Sequence, residues 1–190
     1  MSITTLRTLV LGAASAALAG LLVAPVSASA SSPWLDQVRD ATRQDKSVHH
    51  AKKDGYAKFV DAKGIACIDM PGMGAMGVHY VNGTLVGDDR VDPLTPEAVV
   101  YEPDGNGHPH LVALEYVVFK SAWDAHHTGK PKLFGQTFTL TPDGNRFGLP
   151  AFYSLHAWLY KHNPAGTFAM WNPRVHCPPG DDTDMHMPAA

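Results

Sequence analysis

His110-Leu-Val-Ala-Leu-Glu-Tyr-Val-Val-Phe119 is the longest β-like run in the chain. It reads as a strand because β-branched and aromatic side chains fit a pleated surface. Side chains on a strand alternate between its two faces. Leu111, Ala113, Val117 and Phe119 therefore share one face with Glu115, and Val112, Leu114, Tyr116 and Val118 form the other. The run is apolar on both faces except for that one carboxylate. An ionised carboxylate is almost never buried without a partner, because desolvation costs several kcal/mol. A salt bridge on an edge strand, a metal ion, or a role as general acid or base would each answer it.

Outward from this run, glycine and proline recur every few residues and short apolar stretches lie between them. Ile65–Ile68, Val78–Val81 and Ala98–Tyr101 have strand composition upstream, and Lys132–Leu140 and Phe152–Lys161 have it downstream. Pro93, Pro96, Pro103-Asp-Gly-Asn-Gly107 and Thr141-Pro-Asp-Gly-Asn145 are turn chemistry. A single helix is expected. Ser32 and Pro33 form a start signal, Trp34, Val38, Ala41, Val48 and Ala51 fall close to a 3.6-residue period, and Gly55 is a stop. One long amphipathic helix over 33–54 follows. His49 and His50 on its polar face point about 100° apart, so they cannot share one metal and read as solvated. The class is α+β: a small antiparallel sheet or barrel, with the long N-terminal helix packed on the sheet or at its end.

Residues 1–30 read as a processing segment. Arg7 is a short positive region, Leu9–Ala24 an uncharged apolar run, and Ala28-Ser-Ala30 a small-x-small cleavage pattern. The alternative is a retained membrane anchor, but about sixteen residues is short for a span of roughly 20. This signal peptide predicts export, a single domain over 31–177, and a flexible Pro-, Gly- and Asp-rich tail over 178–190. With 15 basic and 18 acidic residues the chain is mildly acidic and offers no basic patch for nucleic acid. Cys67 and Cys177 are its two cysteines. In an oxidising compartment they pair as one disulfide closing a loop of about 110 residues. A thiolate metal site or reactive thiol would want CxxC spacing or a cationic neighbourhood, and neither is present.

The chemistry-bearing residues are sparse. Cys67-Ile-Asp-Met-Pro-Gly-Met-Gly-Ala-Met-Gly-Val-His-Tyr-Val-Asn82 is a glycine loop that delivers His79 onto a strand. In Phe152–Tyr160, alternation puts Phe152, Ser154, His156, Trp158 and Tyr160 on one face. His79, Glu115 and His156 are thus three mid-strand polar groups from three separated strands. Two imidazoles and a carboxylate are a common ligand set for Zn, Fe, Mn or Cu. The trio either converges around such a divalent transition metal, converges as a hydrogen-bonded cavity, or does not converge. In the first case Tyr80 or Tyr116 would orient water or substrate, and Trp158 would line the ligand site. Met70, Met73 and Met76 read as core filler rather than a Cu(I) site, because glycines and a proline between them prevent a helical face. Met185-His-Met187 could hold copper only adventitiously. GxSxG, HExxH, P-loop and GxGxxG signatures are absent from the sequence.

Several longer words resemble those of a family of secreted bacterial proteins without an assigned activity. They are Met-Gly-Val-His-Tyr-Val-Asn (76–82), Leu-Glu-Tyr-Val-Val (114–118), Leu-His-Ala-Trp-Leu (155–159) and Asn-Pro-Ala-Gly-Thr-Phe-Ala-Met-Trp-Asn-Pro (163–173). The resemblance spans most of the chain after residue 30 and implies export and one domain. It implies no reaction. The functional expectation is a secreted domain whose His/Glu/His cavity holds a metal or small-molecule ligand, with hydrolytic or oxidative chemistry in the metal-dependent version. Its rivals are a non-catalytic envelope or extracellular binding module, and a metal-free hydrolase with Glu115 as base and His156 as acid.

Overall fold

A computed structural model describes residues 33–178. The expected signal peptide, Ser32 and the tail beyond Pro178 lie outside the described residues. The chain begins with α1 (Pro33–Ala41), a 3-10 turn (Arg43–Lys46) and α2 (Val48–Lys53). Strands β1 (Ala57–Lys58), β2 (Cys67–Met70) and β3 (Gly74–Val81) follow, then the short α3 (Gly83–Val86). After these come β4 (Ala98–Pro103), β5 (Pro109–Phe119), α4 (Lys120–His126), β6 (Lys132–Leu133), β7 (Gln136–Thr137), β8 (Thr139–Thr141) and β9 (Phe152–Ala157).

The expected long helix is interrupted. Its first residue, Pro33, and its stop, Gly55 at φ +92°, are where the sequence puts them. Between them a straight helix would carry Thr42 and Asp45 on its core-facing side. Thr42 instead leaves helical geometry at φ −101°, ψ 11°. Its hydroxyl lies 2.8 Å from the Val38 carbonyl and 2.7 Å from the Tyr160 hydroxyl. A threonine hydroxyl bonded to the carbonyl four residues back competes with the helical ladder. The chain then tightens into the 3-10 turn and restarts after an extended Ser47. The buried stripe is Val38, Thr42, Asp45 and Ala51, while Ala41 faces water.

Seven strands form one antiparallel sheet, ordered β1-β3-β4-β5-β9-β8 with β2 also paired to β3. The sheet is open, so the barrel alternative is set aside. The strand expected over 132–140 does not form as one piece. Phe134 and Gly135 both take positive φ, 55° and 75°, and the chain doubles back as the separate β6–β7 hairpin. Only the three residues of β8 are left to pair with β9, and β8 is the edge of the described sheet.

β5 lies inside the sheet, between β4 and β9. Its Leu114, Tyr116 and Val118 join Val99, Tyr153 and Leu155 on one face, beneath Val38 and Ala51 of the helical segment. Hydroxyls pin that layer: Tyr101 donates to the Asp45 carbonyl at 2.5 Å and Tyr56 to the Pro96 carbonyl at 2.6 Å. Against the other side of β3 comes the C-terminal segment. Ala75 bridges Asn172, and Cys67 and Cys177 form the expected disulfide with Cα atoms 5.5 Å apart. Gly74, at φ +90°, admits this approach, since a Cβ there would sit 2.1 Å from the Asn172 carbonyl oxygen. Among the described residues no helix is long and apolar enough to cross a membrane.

Candidate metal centre

Local sequence orients each of the three polar side chains and the sheet brings them together. Glu115 on β5 pairs directly with His156 on β9 and, on its other side, with Ala98 on β4. His79 on β3 pairs with Val100, which in turn pairs with Ala113. All of these side chains lie on the face away from α1 and α2. β3 and β5 are two strand spacings apart, roughly 9–10 Å. An imidazole and a glutamate leaning toward each other over Ala98 close that gap. Ala98 and Ala113 are fully buried, and their small side chains leave the room that a leucine would occupy.

The candidate donor atoms are in mutual contact. His79 Nε2 stands 3.1 Å from His156 Nε2 and 3.1 Å from Glu115 Oε2, and His156 Nδ1 faces Glu115 Oε1 at 3.4 Å. The side chains of His79, Glu115 and His156 are 12%, 10% and 2% exposed, so His79 and Glu115 form the outer edge. The two rings meet edge to face, and Trp158 stacks against His156 with centroids 5.9 Å apart. Trp158 is itself held by its indole N–H, which donates to the Ala169 carbonyl.

Burial works against a charge on Glu115, but His156, His79 and the hydroxyl of Ser154 outweigh it and hold the carboxyl down to about 2. Burial also disfavours an imidazolium at His156. The attraction of Glu115 only partly offsets this, and the pKa falls to about 4. At neutral pH the site therefore presents a carboxylate beside a neutral His156. Electrostatics favour placing the His156 proton on Nδ1, toward Glu115 Oε1, which leaves the Nε2 lone pair facing His79. The proton of His79 Nε2 is then shared between His156 Nε2 and Glu115 Oε2. A metal ion in place of that proton would meet three ready donors: His79 Nε2, His156 Nε2 and Glu115 Oε2. In a tetrahedral site with bonds of about 2.0–2.1 Å, ligand atoms are separated by roughly 3.3–3.4 Å. The two contacts of His79 Nε2, each 3.1 Å, need to open by only a few tenths of an ångström. Glu115 Oε1 would meanwhile keep orienting the second nitrogen of His156, the outer-shell arrangement that ligating histidines usually have. Among the described residues this is the one group of three such side chains whose donor atoms all lie within 4.8 Å of one another.

Other expected site residues fall elsewhere. Tyr80 and Tyr116, being neighbours of His79 and Glu115 along their strands, face the opposite way. Tyr80 packs edge-on against Tyr101 with the Lys52 ammonium 5.8 Å from its ring centroid, and the Tyr116 hydroxyl donates to the Pro93 carbonyl. Neither is brought to the trio; Trp158 is. Tyr160 also leaves the expected face, because β9 ends at Ala157 and the chain turns toward Thr42 and Arg39. Met70 and Met76 pack with Trp171 in a small core cluster while Met73 is exposed. The trio's polar atoms contact one another, and two hollows of about 340 and 350 Å³ lie against the helical segment. Ser154, whose hydroxyl helps hold the Glu115 carboxyl down, was not assigned a role from the sequence, although alternation puts it on the face of His156. Compared with models of known protein families, with curated proteins and with solved structures, the chain matches none.

Proposed function

We propose that this chain is an exported metal-binding domain in which His79, Glu115 and His156 hold one divalent transition metal ion of the Zn, Cu, Mn or Fe class. The carrying observation is the convergence of two imidazoles and a carboxylate from β3, β5 and β9 on one buried point. The protonation states support it, because a metal requires a neutral imidazole and an ionised carboxylate. Three protein ligands would leave a fourth position open at the edge formed by His79 and Glu115, which is the coordination pattern of reactive rather than purely structural sites. The disulfide supports an oxidising compartment, as export requires.

One observation favours a second reading, a metal-free binding module: the trio's polar atoms already satisfy one another at 3.1 Å. Chelator-stripped protein titrated with Co²⁺ and Zn²⁺ separates the two. The metal reading expects one equivalent bound, a Co²⁺ absorption band of N/O ligation, and stabilisation by about 2.7 kcal/mol at free metal one hundred times Kd. His79→Ala and His156→Ala should each lower occupancy while keeping the native disulfide and circular dichroism. Binding that is unsaturable, or unchanged in His156→Ala, would leave only the hydrogen-bonded network.

A further inference from the structure

On the helical side of the sheet, a hollow of about 350 Å³ opens where the expected helix is broken. Small-molecule sites run from roughly 300 to 1,000 Å³. Asp45, in the 3-10 turn, lines it. Asp45 is 4% exposed, and its Oδ1 is enclosed without a hydrogen-bond partner. The backbone carbonyl of the same residue is satisfied by Tyr101, so the unmet group is the carboxylate alone. Buried polar side chains in folded proteins nearly always have partners.

The rest of the lining sharpens the chemistry. A second carboxylate, Asp54, accepts from the Gln44 amide at 3.0 Å, with His50 Nδ1 4.0 Å away. No lysine or arginine lines the hollow. Lys46, the next residue after Asp45, is directed over the Tyr160 ring instead. Leu85 and Leu94 supply an apolar wall, and Leu94 is 46% exposed. Burial and then Asp54 push the Asp45 carboxyl up to about 6, against a weaker pull from His50. This is a carboxylate without a cation.

A carboxylate with no partner on either oxygen, a second carboxylate and a hydrocarbon wall line one hollow, and together they match a donor that is positively charged and carries an alkyl group. Oδ1 is closed off from solvent, so the oxygen that meets such a donor is Oδ2. A water molecule would supply a donor but no charge. A bare metal ion fits less well, since among the described residues only the trio offers three ligating side chains close together. We propose that the hollow is a binding site for a small primary alkylammonium ion, with its N–H groups donated to Asp45 and its alkyl part against Leu85 and Leu94. The site lies across the sheet from the metal centre and does not depend on it.

The test uses the whole exported chain and four probes: n-butylammonium, methylammonium, tetramethylammonium and butan-1-ol. Calorimetry or NMR shift titration should give saturable 1:1 binding of n-butylammonium. Tetramethylammonium, with no N–H to donate, should bind more weakly, and butan-1-ol should not saturate. Asp45→Asn should weaken n-butylammonium by about tenfold or more, the scale of a lost charge pair. His156→Ala should leave that affinity unchanged. In case Asp45→Asn perturbs folding, the exposed Leu94→Ala provides a second arm, reducing affinity for n-butylammonium but not for methylammonium. Unsaturable binding, equal affinity in Asp45→Asn, or an alcohol that binds as well as the amine would each overturn the proposal.

Discussion

Glu97 offers the sharpest quantitative test of the described packing. It precedes β4, is 3% exposed, and one of its carboxyl oxygens accepts the Val117 amide N–H at 2.9 Å. Burial pushes its pKa up from 4.5 to about 8; hydrogen bonds from Val117 and its own N–H oppose this, and Asp88 and Asp92 reinforce it. Below pH 4.5 the carboxyl is protonated in both the folded and the unfolded chain, and stability is at its full value. Between 4.5 and about 8 the folded chain keeps a proton that the unfolded chain has lost, so stability falls as pH rises. Above about 8 both are ionised and the curve is flat. Each pH unit in the window is worth ~1.4 kcal/mol, so the loss totals about 4–5 kcal/mol. Glu97→Gln removes the titration while keeping an amide oxygen to accept from Val117. Urea unfolding of both chains from pH 5 to 9 should show the variant gaining on the parent by about 4 kcal/mol as pH rises to 8, then levelling off. Asp45 also titrates near this range but does so in both chains and cancels. A stability difference independent of pH would refute the buried, protonated Glu97.

Two other perturbations address the helical layer and the covalent tie. Val38 is 1% exposed, so Val38→Asp should cost about 3–5 kcal/mol by burying an unpaired charge. Arg39→Ala should cost only about 1 kcal/mol, for the lost hydrogen bond from Nε to the Leu159 carbonyl; equal losses in denaturant melts would contradict the assigned faces. Replacing Cys67 and Cys177 together by serine should lower stability by about 2–5 kcal/mol, while titration of the parent chain with a thiol reagent should find no free cysteine. Detection of two thiols in freshly exported protein would contradict the tie.

Much of the candidate site was legible in the sequence, and the illegible part has identifiable causes. A carboxylate in an apolar strand, a histidine between aromatics and a histidine after a glycine loop were enough to single out Glu115, His156 and His79. Alternation also constrains the neighbours: a residue next to a site residue on a strand faces away from it, which excludes Tyr80 and Tyr116 from the trio. The helix broke because Thr42 and Asp45 occupy the buried stripe between Val38 and Ala51, and a count of apolar positions alone passes over polar ones. The strand expected over 132–140 failed at Phe134, whose positive φ no composition rule anticipates for an aromatic residue.

What the chain determined by itself is what depends on near neighbours: strand periodicity, the turn chemistry, the stop at Gly55 and the faces on which His79, Glu115 and His156 stand. These follow from backbone geometry, which repeats every two residues in a strand whatever surrounds it. Tertiary structure alone decided that β4 lies between β3 and β5, that Glu115 stands opposite His156 in register, and that Ala98 leaves the space in which His79 reaches them. It also decided that Asp45 ends in a hollow with no partner. Strand order and register are settled by packing between residues far apart in sequence, where a shift of one residue would turn every side chain to the other face. For that reason the members of the site could be named from the sequence, but their meeting at 3.1 Å could not.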